Sequence, residues 1–173
     1  ENDKGVFKNV TSTTGIANQI GWWNTIAAGD FDNDGDIDYI VGNAGLNTFY
    51  KASDKYPVSI YGKAFNNDGS YDAITSVYLP NNNKDKKMEE FPVALRDELI
   101  KQMISMRHRY ADYKSYAASP MDSVLPVDQR KDALIYHANN LASCYLRNDG
   151  NGKFTLSKLP VQAQVSTLFG IAV

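Results

Sequence analysis

Residues 29–38 read "GDFDNDGDID", with five aspartates, Asp30, Asp32, Asp34, Asp36 and Asp38, at alternate positions. Carboxylates this close repel one another, so the stretch needs something to hold it together. It lies between "NTIAAGD" (24–30) and "IDYIVGN" (37–43). In the second run Ile37, Tyr39 and Val41 alternate with Asp38 and Ile40, the period-2 pattern of a strand with one buried face. The aspartates therefore occupy a tight loop between two strands, with Gly35 at its sharpest point.

Alternate side chains in such a loop converge on one point and form a cage of hard oxygens. Calcium takes six to eight oxygens at about 2.3–2.6 Å and cancels the repulsion among them. Counted from Asp30, the expected ligands are the side chains of Asp30, Asp32, Asp34 and Asp38 and the main-chain carbonyl of Asp36. An EF-hand is excluded. That loop requires a bidentate Glu at position twelve and flanking helices, whereas position twelve here is Val41 and the flanks are strands.

A weaker echo follows in "GKAFNNDGSYDAIT" (62–75). Aligned on its glycine, Ala64 stands at the first ligand position, and Asn66, Asp68, Ser70 and Asp72 remain. This second loop is expected to be a weaker calcium site. The competing reading for both loops is an Asp/Asn-rich turn whose side chains bond their own backbone. A further echo pairs "GVFKNVTSTTGI" (5–16) with "GKFTLSKLPVQA" (152–163). Repeats too small to bury their own faces imply a stacked or circular array.

Other strand-like runs are "VSIYGKA" (58–64), "DAITSVYL" (72–79), "LASCYLRND" (141–149) and "GKFTLSKL" (152–159), and "RNDGNGKF" (147–154) carries a strong hairpin signal. The middle differs. After the polar stretch "NNNKDKK" (81–87), Leu95, Leu99, Met103, Met106, Tyr110, Tyr113 and Ala117 recur at steps of four and three. That spacing predicts one amphipathic helix of about six turns between Pro92 and Pro120, packed on the sheet. Residues 80–137 are thus expected to be a helical insertion between a β region at 1–79 and its continuation at 138–173.

The D-x-D-x-D-G-x-x-D nonamer between strands resembles the calcium loops of FG-GAP and VCBS repeats, as in integrin-type β-propellers, bacterial surface proteins and cartilage acidic protein-like relatives. "YLRNDGNGKF" resembles the hairpin that VCBS repeats carry before their next aspartate loop. The resemblance covers about two-thirds of the chain and is specific chiefly at residues 30–38. It implies a mainly β fold, a partial β-propeller of about two blades, with structural calcium. It also implies a secreted or cell-surface protein (outer membrane or periplasm in a bacterium) used for adhesion or for recognition of a glycan or protein ligand. The alternative is part of a lyase or hydrolase acting on polysaccharide.

The remaining chemistry is sparse, and no catalytic residue is expected. The 173 residues contain one cysteine, Cys144, which excludes an internal disulfide framework. The two histidines, His108 and His137, lack metal-ligand spacing. No nucleophile elbow, P-loop or dinucleotide loop is present. A net charge of −2 and a pI near 5.6 argue against a nucleic-acid partner. No apolar run reaches the roughly 18 residues of a membrane span. Trp22, Trp23 and Tyr50 are expected in the core, with sugar stacking the competing role, and Asn9-Val10-Thr11 forms a glycosylation sequon. The chain opens on Glu1 and ends in the apolar run "LFGIAV", the pattern of a piece of a longer polypeptide. Open strand edges in such a piece are expected to pair with a second copy.

Overall fold

The computed structural model describes residues 1–81 and 83–173. Asn82, within the polar stretch 81–87, lies outside the described residues. The chain divides into two compact units. The first comprises Glu1–Phe49 and Asn139–Val173, and the second comprises Tyr50–Ala138. The fold is mainly β, and every strand pairing is antiparallel.

In the first unit a short hairpin joins β1 (Asn2–Asp3) to β2 (Val6–Phe7). Its turn is Lys4-Gly5, both at positive φ, which suits the twist of a two-residue hairpin. A four-stranded sheet follows from β3 (Thr25–Gly29) and β4 (Asp38–Gly42), then from the far end of the sequence β9 (Cys144–Asn148) and β10 (Phe154–Lys158). The order β10-β9-β4-β3 is an up-and-down meander, entered twice because the second unit is inserted between β4 and β9. Period-2 alternation places Val41 and Cys144 in one small core with Tyr39 and Leu156 packed against it. The Asp-Gly-Asn-Gly turn of β9–β10 holds Gly150, Asn151 and Gly152 at positive φ, as its sequence requires.

The second unit is a sheet of order β7-β6-β5-β8, from β5 (Val58–Lys63), β6 (Asp72–Pro80), β7 (Met88–Pro92) and β8 (Leu134–Ala138). Tyr61 and Ile74 share a core with Leu99, Met103, Met106, Tyr110, Tyr116, Met121, Val124 and Leu125 of the helical stretch. Among the described residues this cluster is larger than that around Val41 and Cys144.

The single long helix is not formed. The stretch is broken into α1 (Arg96–Gln102), α2 (Met106–Arg109), α3 (Tyr113–Ala117), α4 (Met121–Val124) and α5 (Val127–Arg130). The breaks have local causes. Asp112 caps α3 by accepting from Ser115 N–H, and Pro120 and Pro126 each precede a new turn of helix. Leu99, Met103, Met106 and Tyr110 are buried as the stripe predicts, but Leu95 (67% exposed) and Tyr113 (61% exposed) are not. Leu95 precedes α1, so the helical period no longer fixes where its side chain points. Strand β7 and all but the last residue of β8 also fall within the stretch 80–137, which the sequence marks as helical. Among the described residues no helix is long and apolar enough to cross a membrane.

Candidate functional site

The aspartate loop is the connection between β3 and β4, closed by the ladder pair Gly29 and Asp38. Asn33 (φ 62°) and Gly35 (φ 90°) turn the backbone through the left-handed region, which only glycine and the short amides adopt at small cost. Asp30 accepts from Asp34 N–H through Oδ1 and from Gly35 N–H through Oδ2, both at 3.2 Å. Asp34 Oδ1 accepts from Asp36 N–H at 2.9 Å. These bonds curl the loop around its own side chains.

Three of the five aspartates come together. One carboxylate oxygen from each of Asp30, Asp32 and Asp38 lies within 4.8 Å of the others. Two oxygens bound to one calcium at about 2.3–2.6 Å can be no more than about 5 Å apart, so this spacing fits such an ion. Asp34 and Asp36 stand outside the triad, Asp34 being turned to its own loop through Asp36 N–H. Among the described residues no Lys or Arg forms an ion pair with any of the five.

Asp38 differs from the rest. It is fully buried, whereas the other four are exposed. Its Oδ2 accepts from Tyr145 O–H at 2.6 Å and from Phe31 N–H at 3.3 Å, and its Oδ1 accepts from Asn148 N–H at 2.8 Å. The Tyr145 hydroxyl holds the Asp38 carboxyl below the ordinary aspartate range, against the effect of burial. The same bond pushes the Tyr145 hydroxyl well above its usual value. Asp32 moves the other way. Reduced hydration, and then the charges of Asp34 and Asp38, raise its pKa. The ionised loop is thus electrostatically strained at Asp32 and well satisfied at Asp38, the arrangement a cation would relieve.

Tyr145 and Asn148 are site residues that the sequence reading misses. They lie on β9, more than a hundred residues beyond the loop, and the β4–β9 ladder brings them there. Phe31 packs edge-on against Tyr145 and lies over Gly29, where a Cβ would meet its ring at 3.0 Å. The available signal was the "YLRND" run ahead of the hairpin, which carries both residues.

The second loop reproduces the backbone of the first. Asn67 (φ 57°) and Gly69 (φ 88°) match Asn33 and Gly35. Phe65 N–H donates to Asp72 Oδ2 at 3.1 Å, as Phe31 N–H does to Asp38. Ser70 N–H donates to Asp68 Oδ1 at 2.8 Å, as Asp36 N–H does to Asp34. Lys63 and Asp72 close it with the register of Gly29 and Asp38. Asp72 is buried like its counterpart.

Away from the loops, a largely apolar groove of about 400 Å³ is lined by Ile16, Gln19, Trp23, Ile26, Val41, Leu146 and Leu156. Trp22 (37% exposed) and Trp23 (38%) belong to the surface and not the core, and Tyr50 is half-buried. Cys144 is buried. His108 is exposed, and His137 is exposed with Nδ1 2.8 Å from Ser59 Oγ. No family model, curated protein or solved structure matches the chain.

Proposed function

We propose that this chain is a calcium-stabilised β-repeat module of the FG-GAP/VCBS type, working in a secreted or cell-surface protein. The observation that carries the reading is the triad of Asp30, Asp32 and Asp38, gathered within 4.8 Å around one point with Asp38 pinned by Tyr145. Hard oxygens without a sulfur or imidazole donor suit calcium over zinc or copper. The ion's part is structural: it neutralises the loop and ties it to β9 through Asp38. Each four-stranded antiparallel sheet corresponds in this reading to one propeller blade, a comparison supported by the duplicated loop and its matching hairpin register.

Recognition of a glycan or protein is favoured over catalysis. The groove beside Trp23 offers an apolar surface, and among the described residues no titratable side chain lines it. Open sheet edges at β3, β7, β8 and β10 make pairing with a second copy part of the same reading. Isothermal calorimetry with calcium, and with magnesium as the control, tests the metal directly. We expect calcium to bind, and Asp32→Asn or Asp38→Asn to remove most of the heat. Absence of calcium binding by the unaltered chain would overturn the reading. Sedimentation of the same material at micromolar concentration should show a dimer, and a clean monomer would remove the pairing claim.

A further inference from the structure

The two loops share a backbone but not an interior. In the first, three carboxylates face a common point. In the second, positions one and three are Ala64 and Asn66, and the interior is closed by the chain itself. Asn66 Nδ2 donates to Asp68 Oδ2 at 3.0 Å and to the Gln102 carbonyl at 2.9 Å. Asn66 Oδ1 accepts from Asp68 N–H at 3.2 Å. Ser70 O–H donates to Asp68 Oδ1 at 2.6 Å, and Gln102 Oε1 accepts from Ala73 N–H at 3.4 Å.

We infer that the second loop is a metal-free copy of the first, in which the Asn66 amide and Gln102 at the end of α1 fill the role a cation has in the first. The inference rests on the calcium reading of the first loop for its contrast, but its own contacts stand independently. A side-chain amide offers two N–H donors and one carbonyl acceptor. Here one N–H meets a carboxylate, the other meets a main-chain carbonyl, and the oxygen takes a main-chain N–H. The amide thus draws together a carboxylate and a carbonyl, two oxygens of the kind calcium binds, without bringing a net charge. Replacing an aspartate by asparagine at this position removes the repulsion that would call for metal. Gln102 accepts from Asn66 through its main chain and from Ala73, at the start of β6, through its side chain, so the helical stretch is tied to the loop at its third position. The chain therefore carries one cation, and the second unit folds without one.

The test is Asn66→Asp, compared with Asn66→Ala, by calorimetric melting in chelator and in calcium. Asn66→Asp places a carboxylate against Asp68 and the Gln102 carbonyl. It should lower the melting transition of the second unit by about 4 °C or more in chelator, and calcium should restore it. Asn66→Ala should be lowered without any calcium response. The unaltered chain should take up one calcium, lost with Asp32→Asn and kept with Asp68→Ala. An Asn66→Asp protein as stable as the original in chelator would overturn the inference. So would a second calcium in the unaltered chain that Asp68→Ala removes. A chain binding no calcium refutes the first-loop reading instead, and the chelator melt of Asn66→Asp still decides the second loop.

Discussion

Asp32 gives the sharpest prediction, because its replacement should act with opposite sign in the presence and absence of calcium. The side chain is exposed, and its pKa is raised by reduced hydration and by the charges of Asp34 and Asp38. A carboxyl whose folded-state pKa lies above its unfolded value opposes folding when ionised, and that penalty fades as pH falls through the raised value. Asp32→Asn should therefore give a small rise in melting temperature in chelator at neutral pH. With calcium the order reverses. Calcium at a hundredfold excess over its dissociation constant adds about 2.7 kcal/mol to the folded state. A folding unit of 60–100 residues shifts by about 4–8 °C per kcal/mol, so the first unit's transition should rise by roughly 10–20 °C in the unaltered chain. Asp32→Asn removes one of the three gathered carboxylates and should lose most of that rise. Scanning calorimetry in chelator and in about 1 mM calcium gives all four numbers. If Asp32→Asn melts below the unaltered chain in chelator, the repulsion argument is wrong. If calcium raises both proteins equally, Asp32 is no ligand.

Leu99 is fully buried at the centre of the second unit's core, so Leu99→Ala should cost about 2–5 kcal/mol in chemical denaturation. A loss below about 0.5 kcal/mol would show that the helical layer does not pack as described. Tyr145→Phe removes the hydroxyl that lowers the Asp38 pKa. A lowered carboxyl stabilises above its unfolded value, ordinarily 3.8, and loses that contribution as pH falls through the folded one. Without the hydroxyl the loss begins at higher pH, so in chelator the acid-unfolding midpoint of Tyr145→Phe should move upward. An unchanged midpoint would show that Asn148 and Phe31 hold Asp38 unaided.

Strands were legible wherever alternation and turn residues agreed. β3, β4, β5, β9 and β10 fall inside the runs marked by Gly, Asn and Asp boundaries, and β6 runs one residue past its own, to Pro80. β7 was not, because "MEEFP" carries two adjacent glutamates and ends in proline, a poor strand signature. The helical stretch was read correctly as a layer and wrongly as a rod. Its period named Leu99, Met103, Met106 and Tyr110 because α1, α2 and the residues that end them turn to the same core. The caps that separate the helices depend on single residues such as Asp112, which a periodic pattern does not weigh. The gathered carboxylates of Asp30, Asp32 and Asp38 were visible because they are close in sequence. Tyr145 and Asn148 were invisible because the ladder that delivers them spans an inserted unit.

The substitutions between the two loops separate what such a loop needs to fold from what it needs to hold an ion. Asp34 and Asp68 each accept a main-chain N–H two residues on, and Asp38 and Asp72 each accept from the phenylalanine seven residues before. Both positions keep their aspartate. The ninth is buried in each because it is also the first residue of a strand, where a carboxylate is tolerated only if hydrogen-bonded. Four positions change, the first, third, seventh and eighth, and Ser70 at the seventh still donates its N–H to Asp68 as Asp36 does to Asp34. At the first, the bonds Asp30 supplies to Asp34 and Gly35 give way to a main-chain bond from Asn67 N–H to the Ala64 carbonyl. At the third, a strained carboxylate becomes a satisfied amide. A hairpin of this geometry thus stands on two aspartates. The additional carboxylates at Asp30, Asp32 and Asp36 raise the charge of the first loop beyond what its fold requires, and that excess is the ground on which the proposed cation rests.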